Sequence, residues 1–403
     1  MEIEQRGDLS SLKNPGLSSI EDESFMMYSL LYSCVSVLFG ISVLLKFLNS
    51  ELRLGFRSVL SLVILFVGEP LCQFAIQGHM GFAGFACGCL ILYATLPASH
   101  LDAKDKTVLI TGCDSGFGHA LAKHFDQLGM RVYATCHHGN SAGSHILQST
   151  CSSRLKIYEM DVTNEKQVDK VAEMIECDVG NDGLWSLVNN AGIWYCSEAD
   201  MMSMLLFREV VEVNQLGTIY VTKAFLPLLK LSQGRLIFIS SVVGRMPLPH
   251  FAAYSIAKAA VEAFADVLRH EMKKWKVSVS VIEPNCFYTE AIVRRAEVFQ
   301  KVWDHMDHTK REQYGQKYFD AIVQKYDSLA VTFPQDLSPV IRCVKSALLS
   351  RKPRPRYITD RGAEFLMWLH SVLPTWLGDK LVDTVDVVTP KSIRPKTLMR
   401  SAV

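Results

Sequence analysis

The sequence predicts an α/β protein: a doubly wound parallel sheet preceded by an N-terminal membrane-spanning helical region. Three observations carry this. Short apolar runs alternate with helical stretches between residues 104 and 359, the pattern of parallel strands joined by helical crossovers. The first of those runs enters a glycine-rich loop that opens a helix. Ahead of it, three apolar stretches occupy much of residues 25–97.

Composition sets the outer limits. The chain has 403 residues, 49% of them hydrophobic, enough for a large core in one big domain or two smaller ones. A formal net charge of +1 gives no global field for nucleic acid, and no nucleic-acid partner is expected. The eleven cysteines are scattered, with no Cys-x-x-Cys pair. That fits reduced thiols in a reducing compartment, and no metal site is read.

Residues 1–24 are polar and acidic, carrying Glu2, Glu4, Asp8, Glu21, Asp22 and Glu23, and are expected to be a disordered tail. Their acids argue against a transit peptide and a basic signal-peptide start. Residues 25–45 carry no charge and are long enough to span a bilayer. A second apolar run covers 58–76, interrupted by Glu69-Pro70, and a third, rich in Gly and Ala, covers 80–96. The alternative for the last two is a buried or re-entrant hairpin. Residues 25–97 are read as membrane-anchoring helices because the runs are contiguous and lack an amphipathic period. Lys46, Arg53 and Arg57, offset by Glu51, make the first loop cytoplasmic by the positive-inside rule. Three spans then place everything after Pro97 in the cytoplasm; two spans would place it on the other side.

Each element of the sheet follows in order. Residues 106–111 read as a buried strand, followed by Gly112-Cys-Asp-Ser-Gly116-Phe-Gly118 and a helix that stops at Gly129. Strand, glycine loop and helix together bind a dinucleotide pyrophosphate: glycines let backbone N–H groups approach, and the helix N-terminus favours the anion. A plain tight turn would look similar. Further strands are predicted at 131–136, 154–159, 184–188, 235–240, 277–283 and 356–359. Helices are predicted at 165–175, 207–231, 252–275 and 339–349.

Tyr254 and Lys258 lie four apart on the helix over 252–275, so they project from one face. An ammonium beside a phenol stabilises phenolate and lowers its pKa, which suits Tyr254 to proton transfer. On this pair alone, a surface Tyr beside a solvated Lys is the more natural reading, and the rest of the chain decides it.

Taken with their spacing and order, the motifs resemble the short-chain dehydrogenase/reductase family, with its Rossmann fold, over residues 104–359. They are Thr111-Gly112-x-x-x-Gly116-x-Gly118, Asp161, Asn189-Asn190-Ala191-Gly192, Asn214, Ser241, Tyr254 and Lys258, with Ser241 thirteen residues before Tyr254. The wording Thr-Gly-Cys-Asp-Ser-Gly-Phe-Gly, the run from Gly183 to Gly192, and Tyr314-Gly-Gln-Lys-Tyr318 look like one branch. That branch holds retinol dehydrogenases, oxidative 11β- and 17β-hydroxysteroid dehydrogenases and 3-hydroxybutyrate dehydrogenase. The multi-span N-terminus looks most like the membrane-anchored type-two hydroxysteroid dehydrogenases.

The resemblance implies roles. Tyr254 takes the substrate hydroxyl proton during oxidation. Lys258 lowers the pKa of Tyr254 and binds the nicotinamide ribose. Ser241 hydrogen-bonds the substrate oxygen, and Asn214 holds a water that passes protons from Lys258 to solvent. Cofactor contacts are implied at Thr111, Gly112, Ser115, Gly116, Phe117, Gly118, Asp161, Val162, Asn190, Ala191, Gly192, Tyr254, Lys258, Pro284 and Thr289. Within that set Asp161 would accept from the adenine amino group, against the alternative of a helix N-cap. Asn190 would steady the sheet edge and Thr289 would contact the carboxamide. The paired helices at 207–231 and 252–275 imply a homodimer.

Two departures matter. Pro284-Asn285 stands where the family has Pro-Gly; Asn tolerates positive φ, but its side chain would crowd the nicotinamide. The second strand ends Cys136-His137-His138, with neither an acid for a ribose hydroxyl nor a base for a 2′-phosphate. The missing base points to NAD rather than NADP.

Residues 104–362 are therefore read as the NAD(P)-binding domain, with a lid over 286–335. The lid is rich in aromatics that would either cover an apolar substrate or pack on the domain edge. Residues 363–403 hold an apolar helix and tail that would touch a membrane, cap the pocket or close a subunit contact. The expected function is an NAD(P)-dependent oxidoreductase interconverting hydroxyl and carbonyl on a lipophilic steroid or retinoid, in the oxidative direction. It is expected at the endoplasmic reticulum membrane, facing the cytoplasm. The alternatives are a 3-hydroxybutyrate-type dehydrogenase, for which Arg294, Arg295 and Lys301 would supply a carboxylate clamp, and a catalytically silent membrane scaffold of the same fold.

Overall fold

The computed structural model describes residues 15–48, 67, 72, 79–95 and 100–385. The chain divides into two compact units, residues 1–100 with 350–352, and residues 101–349 with 353–403.

In the first unit, helix α1 (Pro15–Leu48) contains a stretch, Met26–Leu45, long and apolar enough to cross a membrane. The helix starts inside the segment expected to be disordered, which corrects that reading for residues 15–24. Extending an existing helix avoids the cost of a new nucleus, and Pro15 suits the first turn, where its missing N–H has no helical partner. Helix α2 (His79–Thr95) is apolar but only 17 residues long. Tyr32 of α1 meets Phe85 of α2 with ring centroids 5.3 Å apart. Apart from Val67 and Cys72, the second apolar run lies outside the described residues.

The second unit carries a seven-stranded sheet, ordered β3-β2-β1-β4-β5-β6-β7, with every pair parallel. The strands are β1 (Thr107–Ile110), β2 (Arg131–Cys136), β3 (Leu155–Glu159), β4 (Ser186–Asn189), β5 (Arg235–Ile239), β6 (Ser278–Glu283) and β7 (Arg356–Ile358). All seven sequence-predicted strands are present, with ends within two residues of the predicted ones.

Period-two alternation sends successive strand residues to opposite faces. Leu109 joins one apolar core with Leu187 and Phe238, while Val108 and Ile110 join another with Ile237 and Ile282. The first core is covered by α5 (Glu165–Val179), α7 (Thr218–Ser232) and α8 (Ala252–Glu271), through Val168, Val171, Phe225, Val261 and Leu268 among others. The second is covered by α3 (Gly116–Gln127) and α13 (Ser338–Leu349), through Leu121, Phe125, Val340 and Val344. Helix α4 (Ala142–Thr150) joins β2 to β3. Strand order reverses between β1 and β4, so a crevice opens at their carboxyl ends.

Three elements differ from expectation. The helix expected over 207–231 begins earlier, as α6 (Met204–Val211), and passes through a π-helical segment, Glu212–Gly217, into α7. Such wide turns concentrate at functional sites, and this one carries Asn214. The 286–335 segment folds as four helices, α9 (Glu290–Val293), α10 (Arg295–His305), α11 (His308–Tyr314) and α12 (Gln316–Ala330). Most of its aromatics, including Phe299, Trp303, Tyr318 and Phe319, pack into a third apolar cluster rather than over a cavity. The C-terminal apolar run is two helices, α14 (Arg361–Val372) and α15 (Thr375–Val385). They are interrupted at Pro374, which cannot continue a helix.

Candidate active site

The glycine loop is held by a small hydrogen-bond frame. Thr111 Oγ1 accepts from the backbone N–H of Asn190 and of Ala191, each at 2.9 Å. Asn190 Nδ2 donates to the carbonyls of Thr111 at 2.8 Å and Gly112 at 3.1 Å. These bonds lock the ends of β1 and β4 together. Gly112 has φ 68°, and a Cβ there would stand 2.9 Å from the Ala191 Cα. A Cβ on Gly118 would be driven into the Gly112 carbonyl oxygen. Ser115, the N-cap of α3, makes no side-chain cap bond. Uncapped N–H groups and a loop kept free of side chains make a cradle for an anion, so the residues present fit a dinucleotide.

A cavity of about 560 Å³ runs from this cradle across the carboxyl ends of the strands. Its walls include Gly112, Ser115, Gly116, Phe117, Asp161, Val162, Asn190, Ala191, Gly192, Ser241, Tyr254, Lys258, Pro284 and Thr289. Three expected contacts stand behind the wall instead. Thr111 and Gly118 shape the loop. Asn214, fully buried, bonds both polar groups of Ile193, with Oδ1 accepting from its N–H at 2.8 Å and Nδ2 donating to its carbonyl at 2.7 Å. Asp161 is not the cap of α5; Asn164 is. Asp161 Oδ1 instead accepts from Thr163, both from its N–H at 2.9 Å and from its hydroxyl at 2.8 Å.

Tyr254 and Lys258 do share one face of α8, with the ammonium 5.5 Å from the phenol ring centre. Lys258 is 4% exposed, and its Nζ donates to the Ile239 carbonyl at 2.7 Å. Burial pulls its pKa down to about 8, against the charge of Glu262. The expectation that Lys258 depresses Tyr254 needs correction. Burial pushes Tyr254 up, the nearby Cys286 thiol adds to this, and a hydrogen bond from Ser241 opposes it. The phenol in this structure is thus held protonated. Ser241 Oγ also accepts from the Val243 N–H at 3.4 Å and lies 3.5 Å from the Pro284 carbonyl.

Asn285 does not take positive φ. Its Oδ1 accepts from the Cys286 N–H at 2.9 Å and its own N–H donates to Thr359 Oγ1 at 3.2 Å. A side-chain-to-backbone turn replaces the glycine conformation expected there.

Sequence reasoning missed an acid. Asp114, inside the glycine loop, crosses to the tip of β2, where Oδ2 accepts from the His137 N–H at 2.8 Å and Oδ1 from the His138 N–H at 3.4 Å. Both Asp114 and His137 line the cavity. Pairing of β1 with β2 is the signal that would have found it, because it places the first loop beside the second strand's end.

The far end of the cavity is apolar. Ile193, Trp194, Val213, Leu248, Phe251 and Tyr326 line it, and Trp194 stacks on Tyr326 with centroids 5.3 Å apart. Behind Val242, Val243 and Leu248 lie Ala363 and Met367 of α14 and Val382 of α15, so the C-terminal helices back the pocket wall. The proposed carboxylate clamp is spoken for elsewhere. Arg294 pairs with Glu290 at 3.2 Å, Arg295 with Asp327 at 2.5 Å, and Lys301 with Glu209 at 2.8 Å. Lys258 is the only lysine or arginine on the cavity wall among the described residues. No group of three or more metal-ligating side chains occurs among them either.

Behind α8 a buried ionic cluster anchors the site. Arg356 Nε meets Glu283 at 3.2 Å, and its Nη2 meets Glu262 at 3.0 Å and Asp266 at 2.8 Å. Arg245 reaches Glu283 at 3.5 Å. Glu283 precedes Pro284, and Glu262 lies one turn after Lys258. The cluster therefore ties the tip of β6 to the helix carrying Tyr254.

Residues 106–298 match the short chain dehydrogenase family. The rabbit (Oryctolagus cuniculus) 11-beta-hydroxysteroid dehydrogenase type 2 is 34% identical over 360 residues, covering 87% of this chain and 88% of the relative. Bovine (Bos taurus) mitochondrial D-beta-hydroxybutyrate dehydrogenase is 39% identical, covering 74% and 91%. Human (Homo sapiens) 17-beta-hydroxysteroid dehydrogenase type 2 is 35% identical, covering 77% and 81%. Among solved structures, a short-chain dehydrogenase from Streptomyces avermitilis superposes with TM-score 0.56 at 22% identity, covering 74% of this chain and all of that one. One from Burkholderia cenocepacia, solved with NADP, gives 0.54 at 22% identity, covering 70% and 99%. These last two are likenesses of fold.

Proposed function

The chain belongs to the short-chain dehydrogenase family and is a nicotinamide-dependent oxidoreductase acting on hydroxyl and carbonyl groups; from that premise we propose that it oxidises a hydroxyl on a neutral lipophilic molecule, steroid or retinoid, with NAD. The observation that carries this is the apolar far wall of the cavity, with Glu209 on it and, among the described residues, no cation there to take a carboxylate. A hydroxy acid would need such a cation, and the three residues able to supply one are paired with acids. The competing reading, a hydroxybutyrate-type enzyme, draws on the 39% identity to the bovine relative.

Asp114 supports NAD: a carboxylate at the tip of β2 can accept from a ribose hydroxyl and would repel a 2′-phosphate. Pyrophosphate would sit at the uncapped start of α3. When bound, the nicotinamide supplies the hydride-accepting carbon. Tyr254 would stand at the substrate oxygen and take its proton, with Ser241 donating to the same oxygen. Tyr254 is held protonated by burial and must first give up its own proton; Lys258, lowered to about 8, would take it in its neutral form before Tyr254 accepts the substrate's. Asn214, fixed through Ile193, would position that loop.

Purified protein given NAD should oxidise at least one steroid alcohol or retinol with kcat/KM at least ~10-fold above that for 3-hydroxybutyrate, a gap of about 1.4 kcal/mol. NADP should support the reaction less well than NAD. Preferred turnover of hydroxybutyrate would overturn the neutral-substrate reading. Asp114→Asn, which removes the charge but keeps the hydrogen-bonding shape, should narrow the gap between the two cofactors.

Membrane attachment through Met26–Leu45 is proposed on length and composition, with the catalytic unit in the cytoplasm, at the endoplasmic reticulum. A homodimer across α7 and α8 is proposed too, with Ile256 and Val267 exposed on the outer face of α8. Full-length protein should sediment with membranes after carbonate washing and behave as a dimer in mild detergent. Recovery as a soluble monomer would contradict both.

A further inference from the structure

We propose that Glu209 is a second recognition point, which accepts a hydrogen bond from a hydroxyl at the end of the substrate remote from the reacting carbon. The proposal rests on the neutral-substrate reading above and deepens it: the substrate is a neutral molecule with two oxygens, and the distal one carries a proton.

Glu209 lies on α6, five residues before Asn214. The stretch between them runs from α6 into the π-helical segment Glu212–Gly217. Val213, one turn on from Glu209, lines the same wall, and both belong to the cavity.

Its partner shows what kind of ligand it can take. Lys301 comes from α10, and its Nζ donates to both carboxylate oxygens of Glu209, at 2.8 and 2.9 Å. Lys301 also hydrogen-bonds Tyr195, whose ring centre lies 5.3 Å from the ammonium. An ammonium has three N–H groups, and these contacts use them all. Tyr195 also hydrogen-bonds Glu209, which leaves the carboxylate one of its roughly four lone-pair sites, and the Glu209 side chain is 38% exposed. At Glu209 the wall therefore presents an acceptor whose cationic partner is already engaged. A distal hydroxyl satisfies it; a distal carbonyl leaves two acceptors facing each other; a distal carboxylate meets like charge.

The pair is also a strut holding α10 to α6, and the test must separate strut from recognition. A strut acts on every substrate alike, whereas recognition depends on the distal group. The full-length protein in detergent, with NAD, is given a matched series of steroid alcohols. They are identical at the oxidised position and carry a hydroxyl, a carbonyl or only hydrogen at the far end. Wild type should favour the hydroxyl member in kcat/KM by roughly 10- to 100-fold, the range for a hydrogen bond to a charged acceptor. Glu209→Ala should compress the series to within about threefold. Glu209→Gln, closer in shape, keeps an acceptor and should retain part of the preference, which guards against a folding defect in the alanine variant.

A flat wild-type series, or a preference that survives Glu209→Ala, overturns the inference and leaves the neutral-substrate reading standing. Turnover of retinol with none of the steroid series does the same. Turnover of hydroxybutyrate alone overturns both.

Discussion

Tyr254→Phe should reduce turnover by ~10³-fold, within the range for removal of a positioned acid or base, while NAD binding stays close to wild type. The ring sits among apolar neighbours that include Val242, Val243 and Leu248, and phenylalanine preserves that packing. Only the hydroxyl is lost, which is the group placed to exchange a proton with the substrate oxygen. Because burial holds the phenol protonated in this structure, its own proton must pass to Lys258 or solvent before it can take the substrate's. Lys258→Met should therefore impair cofactor affinity as well as turnover. It should move the alkaline rise of oxidation to higher pH, since a phenol held protonated by burial loses the nearby amine able to take its proton. Near wild-type turnover by Tyr254→Phe on any good substrate would remove Tyr254 from the chemistry.

Arg356→Met should destabilise the protein by ~3 kcal/mol, lowering the melting temperature by roughly 6–12 °C. The arginine holds Glu283, which is fully buried, and Glu262, which is nearly so. Without it two carboxylates share a dry site, with Arg245 and Lys258 the nearest cations. Arg356 is itself 27% exposed, so the lower end of the range for a broken buried pair is expected.

The pH dependence has a definite sign. Burial and the charge of Glu262 raise Glu283 to about 7, with Arg245 and Arg356 opposing. Between the ordinary carboxyl pKa of ~4.3 and that raised value, the folded state binds more protons than the unfolded one. This group's share of stability therefore falls as pH rises through the window. Removing Arg356 raises the folded pKa further, so the loss should be greatest above pH ~7.5 and shrink toward pH ~5. A loss that is independent of pH would mean that the carboxylates are not what the arginine holds.

Much of the fold was legible because parallel strands buried on both faces read as short apolar runs, and Val108, Leu109 and Ile110 are such a run. The glycine loop was legible because close approach to Ala191 and the α3 N-terminus excludes side chains. What local pattern could not carry was pairing across the chain. Asp114 matters because β1 and β2 lie side by side, and Glu209 because α6 forms the cavity wall. Arg294, Arg295 and Lys301 looked like free cations until their acids, up to 92 residues away in the case of Glu209, were in place. The π segment at Glu212–Gly217 carries no composition signal that separates it from ordinary helix. The lid aromatics could not be divided by type alone: Tyr326 faces the cavity, whereas Phe319, on the same helix α12, packs inward with Phe299.

The central claim is hydride exchange between a neutral alcohol and NAD at the Tyr254–Ser241 site. It is tested most directly with a steroid alcohol or retinol carrying deuterium on its carbinol carbon, incubated with NAD and the full-length protein. The reduced cofactor is then analysed by mass spectrometry. The expected result is one deuterium in the reduced nicotinamide with wild type and essentially none with Tyr254→Phe over the same interval. Unlabelled reduced cofactor from wild type, or equal labelling from both proteins, would contradict the account.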